Sequence, residues 1–187
     1  MVRGLPGTTI QTSLQSAGEA RSLLDNIFMA GGLVLSQVSG LTGLEPYIIQ
    51  NWIKRGFLAP PEHKKYSKRQ FCRIATINML RDVLQIEKIT GLLSYINGRL
   101  DDESDDIIDD SELYFYYIDA ILAMERPAAG VNIGERVRSA VENAVAGFSE
   151  PFPGAKRRLV KTLEVMVYAH YAALMRSGAE EILNTLD

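Results

Sequence analysis

One short stretch carries the side-chain groups that can read DNA base pairs. It holds Tyr47, Gln50, Asn51 and Lys54, with Arg55 next to them. At 100° per residue a helix over this stretch puts Ile48, Ile49, Trp52 and Ile53 on one face and Tyr47, Gln50, Asn51 and Lys54 on the other. Carboxamides can pair bidentately with adenine, and a lysine suits guanine or phosphate, so the polar face matches the chemistry of a major groove. Apolar-backed helices with amides outward also occur in proteins that touch no nucleic acid, so the neighbouring residues decide. Directly downstream, Lys64-Lys65-Tyr66-Ser67-Lys68-Arg69 places four cations in six residues. A lone basic run is usually a solvated loop. Beside a candidate recognition helix it is where Lys64, Lys65, Tyr66 and Lys68 can hold phosphates or the minor groove as a wing. Ser36, Gln37 and Thr42 on the preceding helix are placed to donate to phosphates.

Punctuation in the chain supplies the elements that must position these groups. Ser36 reads as an N-cap and Gly43 as a stop for a first short helix, and Pro46 suits the first turn of a second that ends near Gly56. Pro60-Pro61 then forbids helix, and Ser67 caps a third helix reaching about Leu84. Upstream, residues 1–18 are rich in Gly, Ser, Thr and Gln and read as a flexible lead-in, followed by a helix over Glu19–Met29. Downstream, Ile86, Ile89, Leu93 and Ile96 mark another helix. Seven of the ten residues Asp101–Asp110 are acidic; they predict a solvated linker or helix lead-in and a domain boundary. Three further helices are expected over Glu112–Met124, Ile133–Phe148 and Ala155–Leu186, separated by Pro127 and by Pro151-Phe152-Pro153, with a break near Gly178. The expected organisation is a DNA-binding domain over 19–100, an acidic linker over 101–112 and a helical dimerisation or effector domain over 113–187. The fold class is mainly all-α.

Charge divides along the same line. Residues 1–100 hold 12 Lys+Arg and 6 Asp+Glu, a net of +6, whereas residues 101–187 hold 8 and 17, a net of −9. The first half suits a polyanion and the second would be repelled by one. A single cysteine, Cys72, excludes an internal disulfide, and no signal-peptide stretch or membrane-length apolar run is present, so a cytoplasmic protein with no membrane contact is expected.

Other candidate groups fit structural roles better. Cys72 shares a stripe with Ala75, Met79 and Val83 and reads as a buried thiol. His170 lies on a stripe with Leu159, Leu163, Met166, Val167 and Leu174, a core or interface position and the candidate dimer seam. His63 falls in the wing turn, with solvent as its expected surroundings. The acidic run lacks the glycine and terminal glutamate of a calcium loop. Tyr114-Phe115-Tyr116-Tyr117 reads as core, and is the one candidate effector pocket in the C-terminal domain. Lys156-Arg157-Arg158 opposes its helix dipole and reads as a solvated face or a site for the acidic segment or a partner chain. No nucleophile–base pair, phosphate-cradling loop or metal-ligand set is apparent, so neither an enzyme nor a cofactor is expected.

Leu35 to Arg81 resembles the N-terminal domain of MerR-type regulators. The shared features are a first helix ending Leu41-Thr42-Gly43, an aromatic on the second, then Gly56-Phe57-Leu58 with a following proline, and a Tyr66-Ser67 pair capping the next helix. Similar stretches mark the bacterial domain of unknown function 1836 family, at Gln50-Asn51-Trp52-Ile53-Lys54, Pro61 through Lys64-Lys65-Tyr66-Ser67, and Leu80 to Ile89. The MerR resemblance implies a winged helix-turn-helix. Gln50 and Asn51 stand where MerR recognition helices often carry arginine and tyrosine, so base preference does not transfer. The long dimerising helix of that family is not evident after residue 100. The expected function is a sequence-specific transcriptional regulator, a homodimer that represses by occupying double-stranded DNA. The alternative is an interaction adaptor whose helix-turn-helix no longer binds DNA.

Overall fold

A computed structural model describes residues 2–100, 102, 105–126 and 130–186. Asp101, Glu103 and Ser104 of the acidic segment, and Pro127 between two expected helices, lie outside the described residues. The architecture is almost wholly helical. A two-residue ribbon, β1 (Val2–Arg3) antiparallel to β2 (Ser13–Leu14), precedes α1 (Ala17–Phe28), α2 (Leu35–Thr42), α3 (Pro46–Lys54), α4 (Lys68–Leu80) and α5 (Ile86–Asn97). Then follow α6 (Asp110–Met124), α7 (Ile133–Ala144) and α8 (Ala155–Leu183). Among the described residues no helix is long and apolar enough to cross a membrane.

Local chemistry explains most boundaries. Ser16, Ser67, Asp109 and Asn132 each accept a hydrogen bond from a backbone N–H in the first turn of α1, α4, α6 and α7. At α4 the cap is reciprocal, because Gln70 Oε1 accepts from Ser67 N at 2.9 Å. At α2 the structure corrects the reading of Ser36. The helix starts two residues earlier, with Val34 as its N-cap, and Gln37 Oε1 accepts from Val34 N at 3.0 Å, leaving Ser36 exposed in the first turn.

Two helices organise the core. On α6, Leu113, Tyr114, Phe115, Tyr117, Ile118 and Ile121 are all buried, and a helix apolar on nearly every side must be surrounded. It touches α1, α4, α7 and α8. The aromatic run is therefore interior packing rather than an effector pocket, with Tyr114 ring centroids 6.3 Å from Phe115 and 6.4 Å from Tyr117. On α4, every residue from Phe71 to Ile77 is buried, Cys72 included, and burial pushes its thiol pKa up.

The residues read as a flexible lead-in are packed against this core. Leu5 and Leu14 are buried, and the Tyr114 hydroxyl donates to Pro6 O at 2.6 Å. Gly7 (φ +72°) lies so close to α4 that a Cβ there would come 2.0 Å from Ala75 O, a contact only glycine permits. One contiguous set of buried apolar residues runs from Leu5 to Ala169, across the boundary expected at residue 100.

The acidic segment joins that core through charge. Arg73 and Asp110 are each 5% exposed at the side chain and pair with Nη1 3.2 Å from both carboxylate oxygens. Asn97 Nδ2 donates to Asp110 Oδ1 at 3.3 Å, and Arg73 Nε to Phe57 O at 3.2 Å. Arg69 meets Asp106, with Asp109 and Asp110 at 3.6 and 3.7 Å. What composition suggested as solvated linker is in part a buried counter-charge. Asp106 nevertheless titrates above its ordinary value because desolvation outweighs Arg69.

The stripe around His170 is also intrachain core. Leu159, Leu163, Met166 and Val167 are fully buried within the subunit, and the His170 ring nitrogen Nδ1 lies 2.7 Å from the Tyr117 hydroxyl. Of that stripe only Leu174, 50% exposed, remains at the surface. α8 also runs unbroken through Gly178.

Two outcomes are expected. Arg73→Ala or Asp110→Ala should each destabilise the protein by about 3–5 kcal/mol in urea unfolding, because either leaves an uncompensated buried charge; Arg73→Met with Asp110→Leu should lose much less. Burial lowers the His170 pKa below its ordinary 6.5, so the unfolded chain binds the proton more tightly. The stability that depends on the neutral ring is present above about pH 6.5 and lost as pH falls toward the lower folded-state value. His170→Gln should flatten that part of the stability–pH profile.

Candidate nucleic-acid interface

The polar face of α3 is set by what lies behind it. Ile49 and Trp52 are buried and Ile48 and Ile53 half-buried, so Tyr47, Gln50, Asn51 and Lys54 point to solvent, Tyr47 at 68% exposure. Pro46 occupies the first turn of α3, and Gly56 (φ +74°) ends it, with Phe57 N donating to Trp52 O at 2.8 Å. The preceding turn is equally tight. Gly43 caps α2 at φ 69°, and Leu44 drops into the core. The N-terminal segment braces α2 from outside: Thr9 N donates to Leu41 O at 2.8 Å and Thr9 Oγ1 to Gly40 O at 2.9 Å. From inside, Asn78 Nδ2 of α4 donates to Thr42 O and Gly7 O, both at 2.9 Å.

The basic run folds into a tight turn. Lys65 N donates to Glu62 O at 2.8 Å, and the two residues between, His63 (φ 48°) and Lys64 (φ 63°), are both left-handed. Positive φ at both central positions is the type I′ pattern, which prefers Asn-Gly. Two non-glycine residues there cost about 1–2 kcal/mol each. Leu33 and Tyr66 then exchange backbone hydrogen bonds at 2.9 and 2.7 Å, holding the turn beside the start of α2. Gly32 makes this approach feasible, since a Cβ would lie 2.6 Å from Tyr66 O. Gln70 secures the other side, its Nε2 donating to Ala59 O at 3.0 Å and Pro60 O at 2.9 Å.

The expected site residues therefore separate into groups. Ser36, Tyr47, Gln50, Asn51, Lys54, Lys64 and Lys65 are exposed, and the three lysines have no ion-pair partner among the described residues. Gln37 is exposed but its carboxamide oxygen is used on Val34 N. Two assignments are corrected. Thr42 is buried, its hydroxyl donating to Val38 O at 2.7 Å. Tyr66 is 2% exposed, its phenol kept protonated by burial. Neither side chain can reach a ligand. Arg55 pairs with Glu87 at 2.7 Å and stacks on Phe57, and Lys68 pairs with Asp25 at 2.7 Å. These are exposed pairs of small net worth, which a phosphate could replace. His63 is the tip residue that sequence reasoning set aside. The signal for it was the spacing from Glu62 to Lys65, legible only once the turn is known.

A family described as Domain of unknown function (DUF1836) matches residues 24–117, which covers both helices of this surface, the turn and the Arg73–Asp110 pair. The relative described as "Uncharacterized protein YkrK" of Bacillus subtilis (strain 168) is 32% identical over 101 residues, 50% of this chain and 43% of that protein. The chain thus matches less than half the length of that relative. No solved structure matches.

Lys64→Gly should raise stability by roughly 0.5–1 kcal/mol by relieving the left-handed backbone. Gly32→Ala should lower it by about 1–3 kcal/mol by forcing Leu33 and Tyr66 apart. Urea midpoints of the two variants check both.

Proposed function

We propose that this chain, which belongs to the DUF1836 family, is a sequence-specific DNA-binding regulator whose first hundred residues act as a MerR-like winged helix-turn-helix. One observation carries the reading: Tyr47, Gln50, Asn51 and Lys54 are exposed on α3 next to a turn that presents Lys64 and Lys65. In this reading α3 lies in the major groove, with Gln50 and Asn51 against base edges and Lys54 on guanine or phosphate. The turn is the wing, and Lys64 and Lys65 hold the adjoining backbone, with Ser36 at the start of α2 donating to a phosphate. Strain at His63 and Lys64 supports a role for the tip, because a sequence optimised for stability alone would place Asn-Gly there. One module of this size buries limited surface on DNA, so a homodimer on an inverted repeat is the proposed binding form and occupancy the proposed mode of repression.

The adaptor reading draws on a different observation, the commitment of Arg55 and Lys68 to Glu87 and Asp25. Salt separates the two. With Lys54, Lys64 and Lys65 on phosphates, log K for duplex DNA should fall by about 0.9 per contact per decade of salt, or roughly 2.7 per subunit. Fluorescence anisotropy with random-sequence duplex at low and moderate salt measures this. Lys64→Glu with Lys65→Glu should abolish binding without loss of fold, whereas Asn51→Ala should leave the salt slope unchanged and cost about 1–3 kcal/mol of discrimination on the preferred site. Salt-independent or absent binding favours the adaptor.

A further inference from the structure

Beneath the turn that carries Lys64 and Lys65 lies a cleft of about 580 Å³, walled by residues 58–60, the first half of α4 and Asp110 of α6. That volume suits a small organic molecule. Leu58, Ala59, Pro60 and Leu100 give it an apolar side. Its polar side is mostly donor. Arg73 is 5% exposed at the side chain, with Nε committed to Phe57 O and Nη1 to Asp110. Nη2 donates to no described residue and is not sealed in the core, and the cleft is the space it opens on. A nearly buried guanidinium with one nitrogen unsatisfied calls for an acceptor. Ser67 Oγ already accepts from Gln70 N, so what it offers the cleft is its proton. Lys65 adds an ammonium from the turn.

Charge sets the class of ligand. Arg69 is held by Asp106 and Asp109, and Arg73 by Asp110. Lys65 is then the cation of the cleft that has no ion-pair partner among the described residues. Glu62, at the other end of the turn, opposes it. One added negative charge is balanced by Lys65, whereas a second would face Glu62 and Asp110 uncompensated. A carboxylate accepts from Arg73, Ser67 and Lys65 with its two oxygens and leaves its carbon body for the apolar side.

We propose that this cleft binds a small organic monocarboxylate, which draws Lys65 away from DNA. The effect on DNA rests on the reading above; the binding itself does not. Lys65 cannot hold a carboxylate in the cleft and a phosphate outside it at once, so ligand and duplex weaken each other by the same factor.

The protein has two histidines, His63 lining the cleft and His170 outside it, so ring-proton NMR of the full chain reports where a ligand sits. Titration with benzoate or octanoate at millimolar concentration should move the His63 signals saturably and leave those of His170 in place. Lys65→Gln should weaken that binding by about tenfold or more. Glu62→Gln should tighten it, and Ala59→Leu should block it by filling the apolar side, each with an unchanged circular dichroism spectrum. Saturating benzoate should also reduce the salt slope for duplex DNA by about 0.9 per subunit, the share of one phosphate contact. No saturable shift of His63 with either carboxylate overturns the site, as does a shift of His170 in its place. Inorganic phosphate that binds as tightly as benzoate overturns the organic class. A His63 shift that survives Ala59→Leu puts the ligand on the outside of the turn and overturns the cleft. Carboxylate binding that leaves the DNA slope unchanged overturns the competition for Lys65. A chain that binds no DNA sinks the regulator reading, and the His63 titration still decides the cleft.

Discussion

Two opposite charges taken out of water must stay together, and the Arg73–Asp110 pair imposes that condition on the whole fold. Desolvating a guanidinium and a carboxylate costs several kcal/mol per ion, recovered only with good geometry and further hydrogen bonds. Here those bonds come from Asn97 at the end of α5 and from the Phe57 carbonyl after α3. Satisfying one buried pair therefore fixes the end of α3, the middle of α4, the end of α5 and the first turn of α6 relative to one another. Asp110 is also at the start of its helix, where a negative charge is favoured by the peptide dipoles. The matched family segment, 24–117, ends shortly after this residue. The physical unit thus includes the first half of α6 and does not stop at the acidic run.

From that constraint the exposed surface follows. α2 and α3 are held between the N-terminal segment and α4, so the face carrying Tyr47, Gln50, Asn51 and Lys54 is presented by a rigid support. The adjoining turn is built differently. Its tip accepts left-handed backbone at His63 and Lys64, while Gly32, the Leu33–Tyr66 pairing and the Gln70 side chain hold its base. Cost at the tip and firm support beneath it is the distribution expected of a surface selected for contact rather than for stability.

The C-terminal helices apply the same logic on a larger scale. α6 is apolar on nearly all sides and is enclosed by four neighbours. α8 is apolar on two opposite sides, and the subunit covers only one of them.

Much of this was legible from local rules. Gly43, Pro46, Gly56 and Ser67 mark the helix ends they occupy, the 100° projection of residues 47–54 separates buried Ile49 and Trp52 from exposed Gln50 and Asn51, and Cys72 and the aromatics of α6 fall in the core as their apolar stripes require. These succeed because capping and amphipathic spacing act within a few residues. A few local readings failed, as at Ser36 and Gly178, but the larger failures involve partners distant in sequence. Composition could not show that Leu5 and Leu14 pack inside, that Asp110 neutralises Arg73 thirty-seven positions earlier, or that Tyr66, whose backbone pairs with Leu33, has a buried side chain. Nor could it show which of the two apolar stripes of α8 the subunit would bury. Local chemistry determined the helices and the character of their faces; only the assembled core decided which charges are paired, which side chains are spent and which surfaces remain to meet a partner.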